Sequence, residues 1–166
     1  MRFVLRAVLL AGALYGVLYF PYQSETFVVR GLVAYLGALT RAAAAVIALF
    51  DPAARAQGTL IEGRFPLQIV LDCSAADSQA LFLAAVLAFP AGWRPRLLGA
   101  LGGLLALNLL NVARIVFLYF VGARWPAAFH ILHEEVIQLL FVLLAAGAFA
   151  GWALWARRTF PSPVTA

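Results

Sequence analysis

Lysine is missing from the 166-residue chain, cysteine occurs once, and charged residues make up only 11% of it. A lone thiol, Cys73, rules out an internal disulfide and any zinc site built on several thiolates. Scarce charge beside 65% hydrophobic residues and a mean hydropathy of +0.96 rules out a soluble domain, which needs polar residues to cover its core. The outer solvent of this chain is therefore lipid. The 12 basic residues are all arginine and raise the isoelectric point to about 10.1. They lie singly or in pairs between apolar runs and form no stripe that would track a phosphate backbone, which argues against nucleic acid as a partner.

Crossing a hydrocarbon core of about 30 Å takes about 20 apolar residues. Four runs come near that length: Phe3 to Phe20, Ala75 to Phe89, Leu97 to Val121 and Val136 to Trp155. The second reaches it only if the residues around Cys73 begin it. The first follows Arg2 and carries Arg6, as a secretory signal does. Tyr19, Phe20 and Pro21 stand where a signal peptidase needs small residues, so the expectation is a retained anchor helix.

A fifth run, Phe27 to Phe50, carries Arg30 and Arg41 three helical turns apart on one stripe. Gly37, Thr40 and several alanines lie beside that stripe, and Val29, Leu32, Val33, Leu36 and Leu39 fill the other side. The pattern predicts an amphipathic helix lying in the interface, the alternative being a fifth spanning helix with its arginines facing the bundle.

Arginine is retained on the cytoplasmic side of short loops. Arg2 and Arg6, Arg94 and Arg96, and Arg157 and Arg158 flank the spanning segments at alternate ends, and the 7 acidic residues fall elsewhere. Both termini then read as cytoplasmic. Between the fifth run and Cys73, Thr59 to Ile61 and Phe65 to Leu71 flank a Glu62-Gly63 turn. Phe65, Leu67, Ile69 and Leu71 alternate by two as in a half-buried strand, which Pro66 confines to an edge. The expected fold is an all-α membrane bundle forming one domain over 1–166, with about four transmembrane helices, an interfacial amphipathic helix and a small hairpin outside the membrane. No internal repeat and no long linker interrupts it, and the only tail is Pro161 to Ala166.

This topology brings three reactive side chains to one depth. Cys73 opens the second crossing and His133 the fourth, while Arg114 lies about 10 Å below the outer end of the third. An arginine inside the membrane costs at least about 2.5 to 3.5 kcal/mol, so it needs a purpose. Asn108 and Asn111 precede it on the same helix and make a polar seam, either for interhelical hydrogen bonding or as donors for a carbonyl oxygen or carboxylate. A nearby cation, histidine or helix N-terminus turns a thiol into a nucleophile, and Asp72 or Ser74 can cap the helix that begins beside Cys73. Asp77, one turn on, opposes a thiolate unless it pairs with Arg114 or orients His133. The run His130 to Glu135 holds two histidines, but not in the order of a zinc-protease helix, and no third ligand is evident. No metal or cofactor is expected.

A cysteine after an external strand, Asp72-Cys73-Ser74, then Asn111-Val112-Ala113-Arg114-Ile115, then His133 opening the last helix: in this order the chain resembles the exosortase and archaeosortase family of membrane cysteine transpeptidases. The resemblance covers about 65–155, and the short length is similar to the compact exosortase H class. It implies Cys73 as nucleophile, His133 as acid/base partner and Arg114 as stabiliser of the transition state. It also implies a multi-pass protein of the cell's inner membrane with its site facing the periplasm or outside. Its partners are then membrane lipid and exported proteins ending in a recognition motif, a membrane helix and a basic tail, which it cuts and transfers through a thioester. One departure stands out. The family's cysteine is usually followed within two residues by glycine, where this chain has Ser74-Ala75-Ala76. Two other readings remain: a transport or channel subunit whose path Arg114 and the asparagines line, and a non-catalytic assembly partner.

Overall fold

The computed structural model describes residues 2–19 and 27–160. Phe20, Pro21 and Glu25, the Pro161 to Ala166 tail and the side chain of Glu134 lie outside the described residues. The elements in order are α1 (Arg2–Tyr19), α2 (Phe27–Ile47), β1 (Arg55–Gln57), β2 (Leu60–Glu62), β3 (Leu67–Gln68), a 3-10 turn (Leu71–Ser74), α3 (Ala76–Ala88), α4 (Trp93–Arg124), α5 (Pro126–Ile131), a π turn (Leu132–Val136) and α6 (Ile137–Thr159).

Three helices are long and apolar enough to cross a membrane: α2 over Val29–Ile47, α4 and α6. The apolar helices Phe3–Tyr19 and Ala76–Ala88 are shorter. Two helices bear on the expected set of spans. By length and composition α2 qualifies. The 13 residues of α3 extend only about 20 Å at 1.5 Å per residue, because the residues around Cys73 form a separate turn instead of starting that helix. On α4, Leu101, Leu105 and Leu109 each expose 62–63% of their surface. Such an outward ribbon of leucines at i, i+4 suits contact with lipid and not with water.

The chain divides into two compact units. The first takes Met1–Phe20, Asp77–Leu107 and Phe141–Ala166. Aromatic packing holds it: Phe89 meets Phe3, Phe149 and Trp152 edge to face, and Trp152 Nε1 donates to the Pro95 carbonyl at 3.0 Å. Gly99 and Gly103 admit this packing, since a Cβ there would run into the rings of Trp152 and Phe82.

The second unit takes Pro21–Ala76 and Asn108–Leu140 and contains the candidate site. Its sheet is a three-stranded antiparallel meander in the order β1-β2-β3. Arg55 pairs with Glu62 and Gln57 with Leu60 across the first ladder, Leu60 with Gln68 and Ile61 with Leu67 across the second. Strand β1 was not expected, and β3 pairs over two residues only. The alternation continues past it, with Leu67 and Ile69 buried and Gln68 and Val70 exposed.

Helix α2 packs on β1 and β2 through Leu36, Leu39, Thr40, Ala43, Ala44 and Ile47, all buried. These stand at i, i+3, i+4, i+7, i+8 and i+11, one face of a helix. The buried face keeps Leu36 and Leu39 of the expected apolar side and adds Thr40, Ala43 and Ala44, while Val33, Ala34, Ala38, Ala42 and Ala45 are exposed. The Thr40 hydroxyl is satisfied by donating to Leu36 O at 2.8 Å. Arg30 and Arg41 are exposed.

Candidate functional site

Cys73 lies in the 3-10 turn, buried at 7% exposure. The turn closes locally. Val70 is extended and its carbonyl accepts the Cys73 N–H at 3.0 Å. The Ser74 hydroxyl donates to Leu71 O at 2.5 Å and accepts the Ala76 N–H at 3.2 Å. Ser74 thus takes the capping role at the start of α3, while Asp72 is exposed. Ala75 then adopts a left-handed conformation, φ 53 and ψ 25, the only non-glycine residue with positive φ among the described residues. A residue with a Cβ pays about 1–2 kcal/mol for that conformation. Glycine would take that conformation without the cost.

His133 meets the cysteine, with Nε2 3.3 Å from Cys73 Sγ. With the ring proton on Nδ1, the thiol donates to Nε2. His133 sits in the π turn, where the Ile137 N–H reaches back five residues to Leu132 O. This widened turn inserts one residue of extra rotation, a feature common where a helix must present a side chain to a site. Its imidazole stacks on Phe129, with centroids 5.4 Å apart and planes at 18°. His130, one turn earlier, is exposed.

Arg114 on α4 is 6% exposed, and its charge acts on the thiol. Burial pushes the Cys73 thiol above its ordinary range. A backbone contact with Val70 and the charge of Arg114 pull it down, and Asp72 adds a small push upward. Burial is the largest of these effects. The structure brings His133 within 3.3 Å of Cys73 and Arg114 near enough for its charge to act on the thiol.

The asparagines serve the backbone of the turn. Asn111, fully buried, donates from Nδ2 to the Cys73 carbonyl at 3.0 Å. Asn108 Oδ1 accepts from Tyr35 on α2 at 2.8 Å, and the same hydroxyl lies 3.4 Å from Ser74 O. Both residues of the seam therefore hold the cysteine's turn, directly or through Tyr35. Tyr35 had no signal in the sequence beyond its place on a partly apolar face. Asp77 accepts from the Tyr19 hydroxyl at 2.6 Å, a bond that involves neither Arg114 nor His133. Among the described residues no three His, Cys, Asp or Glu side chains gather as metal ligands.

A second buried polar group was not foreseen. The Tyr119 hydroxyl donates to Asp51 Oδ2 at 2.6 Å and accepts the Arg64 N–H at 2.8 Å. Asp51 Oδ1 accepts the Ala53 N–H at 3.2 Å, and the Arg64 side chain reaches Oδ2 at 3.6 Å. The bond from Tyr119 holds the Asp51 carboxyl below the usual carboxylate range, against the opposing effect of burial. Gly63, at φ +149, lies so close that a Cβ would run into the Tyr119 hydroxyl. The chain matches no protein-family model, no curated protein and no solved structure, so the chemistry of the site rests on its own atoms.

Proposed function

We propose that the chain is a membrane cysteine peptidase or transpeptidase, with Cys73 as nucleophile, His133 as acid/base and Arg114 as oxyanion stabiliser. The observation that carries this reading is the 3.3 Å approach of Cys73 Sγ to His133 Nε2 beside a buried arginine. A thiol attacks as the thiolate, and Nε2 is within reach of its proton. As sulfur bonds to the scissile carbonyl carbon, the thiol proton passes to Nε2 and Arg114 meets the oxygen that gains charge. The C–N bond then breaks, the imidazolium protonates the departing amine, and a thioester remains on Cys73. An amine, an alcohol or water gives its proton to His133, attacks the thioester and frees the sulfur.

The membrane arrangement belongs to the same proposal. Both termini and the Arg94 to Arg96 start of α4 lie in the cytoplasm, α1, α3, α4 and α6 cross the inner membrane, α2 lies along the interface and the small sheet is outside. With its C-terminal end at the cytoplasmic boundary, the short α3 begins about 10 Å beneath the opposite one, and Arg114 lies about 10 Å below the outer end of α4. Nucleophile and cation thus share a depth just inside the outer boundary. A substrate anchored by its own C-terminal helix and basic tail offers its motif at that depth, and tethering supplies proximity without tight binding.

The test is a tagged exported protein ending in a motif, a membrane helix and an arginine cluster, drawn from the same genome and co-expressed with the chain. Cys73→Ala is expected to leave the chain inserted, because losing one small thiol changes stability by about 1 kcal/mol or less. Processing is expected to stop, with the uncut substrate accumulating. Wild-type processing by the Cys73→Ala protein rules the reading out.

A further inference from the structure

We infer that Phe65 and Phe129 form an aromatic clamp that fixes His133 against Cys73, and that Gly122 is the small residue that allows the clamp to close. The inference rests on the thiol–imidazole pair of the proposed reaction and assigns three positioning residues to it.

The clamp is built from three separate stretches of one unit. Phe65 stands in the link between β2 and β3, Gly122 near the end of α4, and Phe129 on α5. The Phe65 ring packs on that of Phe129 with centroids 5.0 Å apart and planes at 55°. Phe129 in turn lies nearly parallel to the imidazole of His133 at 5.4 Å and 18°. Beside Phe65, a Cβ at Gly122 would clash with ring carbons Cε1, Cδ1 and Cζ. Gly122 is buried and its helix is regular, so neither a turn nor a positive φ explains the glycine. Room for Phe65 does.

Two physical effects follow. The stack removes the rotational freedom of an imidazole that is otherwise half exposed, which maintains the 3.3 Å approach to sulfur. The face of Phe129 also presents its negative quadrupole to the ring, which favours the imidazolium that forms when the thiol gives up its proton. The other charged groups around the pair are Arg114 on α4 and Asp72 on the cysteine's own turn. His130 and Glu135 flank His133 and are exposed. The clamp variants change none of these.

Because Cys73 is the chain's only cysteine, its alkylation by iodoacetamide across pH reads the pair directly in the full chain in detergent or nanodiscs, without a substrate. Phe129→Leu keeps bulk and loses the π face. It is expected to move the alkylation profile upward by about half to one pH unit, about three- to tenfold less thiolate at a fixed pH, and Phe129→Trp to restore it. Gly122→Ala is expected to slow alkylation severalfold by displacing Phe65, and Phe65→Leu in the same chain to recover part of the rate by making room. Profiles matching wild type in folded Phe129→Leu and Gly122→Ala proteins overturn the clamp, and so does a Gly122→Ala defect that the added Phe65→Leu deepens. If the clamp variants shift the profile while Cys73→Ala still processes substrate, the clamp stands and the peptidase reading falls. If Cys73→Ala abolishes processing and the profiles do not move, the clamp alone falls.

Discussion

Two buried polar groups in one unit are built on opposite principles. Around Asp51 the partners are complete: both carboxylate oxygens accept, and the Tyr119 hydroxyl both donates and accepts. Around Cys73 the backbone is held by Asn111 and Ser74, yet Asn111 Oδ1 is buried with no hydrogen-bond partner among the described residues. Ala75 is left-handed there, and His133 comes from a π turn. A satisfied cluster rigidifies a fold. Local departures from regular geometry collect where a site must be held in shape for chemistry. Under the proposed function the first group serves stability and the second reactivity, and substitutions in each can separate the two.

The largest expected effect is on the reactive side. His133→Ala removes the group 3.3 Å from the sulfur, and processing of the tail-bearing substrate is expected to fall by about 10²–10⁴-fold, the usual worth of a positioned acid/base. The melting temperature is expected to stay near wild type. His130→Ala, altering an exposed side chain, is expected to keep most of the processing. Equal and small losses from both would erase the functional half of the comparison, and the reverse ranking would move the base one turn outward.

The anchor is expected to answer in stability alone. Tyr119→Phe keeps the packing of a fully buried ring but removes the donor to Asp51 and the acceptor for the Arg64 N–H, a loss of about 1–3 kcal/mol. Thermal unfolding in detergent measures it, while the alkylation rate of Cys73 is expected not to change. Acid gives the same contrast. The hydroxyl of Tyr119 depresses the Asp51 carboxyl, so its contribution is complete above the unfolded value of about 3.9 and is lost as pH falls through the lower folded value. The wild type is expected to lose stability below about pH 4, and Tyr119→Phe to flatten that dependence. A slowed alkylation in Tyr119→Phe would show that the two groups are coupled.

Much of the reactive group was legible in the sequence because its members are chemically rare there: one cysteine, one arginine deep in an apolar run, and a histidine at the start of another. Rarity in an apolar chain is a strong signal. Asp51 and Tyr119 were not legible. They lie 68 residues apart, and a tyrosine in an apolar run or an aspartate before a proline is ordinary on its own. The aromatic clamp was hidden for the same reason, since Phe65, Gly122 and Phe129 look like filler until their rings are placed. Strand alternation at Leu67 and Ile69 was readable from its period of two, whereas β1, with Arg55, Ala56 and Gln57 all exposed, offered no period to read. On α2 the expected apolar Leu36 and Leu39 are buried, but Thr40, Ala43 and Ala44 join them and Val33 is exposed, because the buried stripe follows helical spacing from Leu36 to Ile47 and takes in small and polar residues alike.

The smallest expected effect lies at Ala75, where reactivity and stability meet in one residue. A left-handed alanine costs about 1–2 kcal/mol, and a glycine there gives back about 0.5–1 kcal/mol through the greater freedom of its unfolded chain. Ala75→Gly is therefore expected to stabilise the protein by at most about 1 kcal/mol, a rise of about 2–4 °C per kcal/mol for a chain of this size. The hydrogen bonds that close the cysteine turn come from Val70, Leu71, Ser74 and Asn111, none of which uses the Ala75 side chain. The pH profile of Cys73 alkylation is thus expected to be unchanged. A lower melting temperature would mean that the Ala75 methyl, buried at 3% exposure, contributes more by packing than its conformation costs. An unchanged melting temperature with faster alkylation would mean instead that the strained turn restrains the thiol, and the boundary between the reactive group and the structural one would have to be redrawn around this residue.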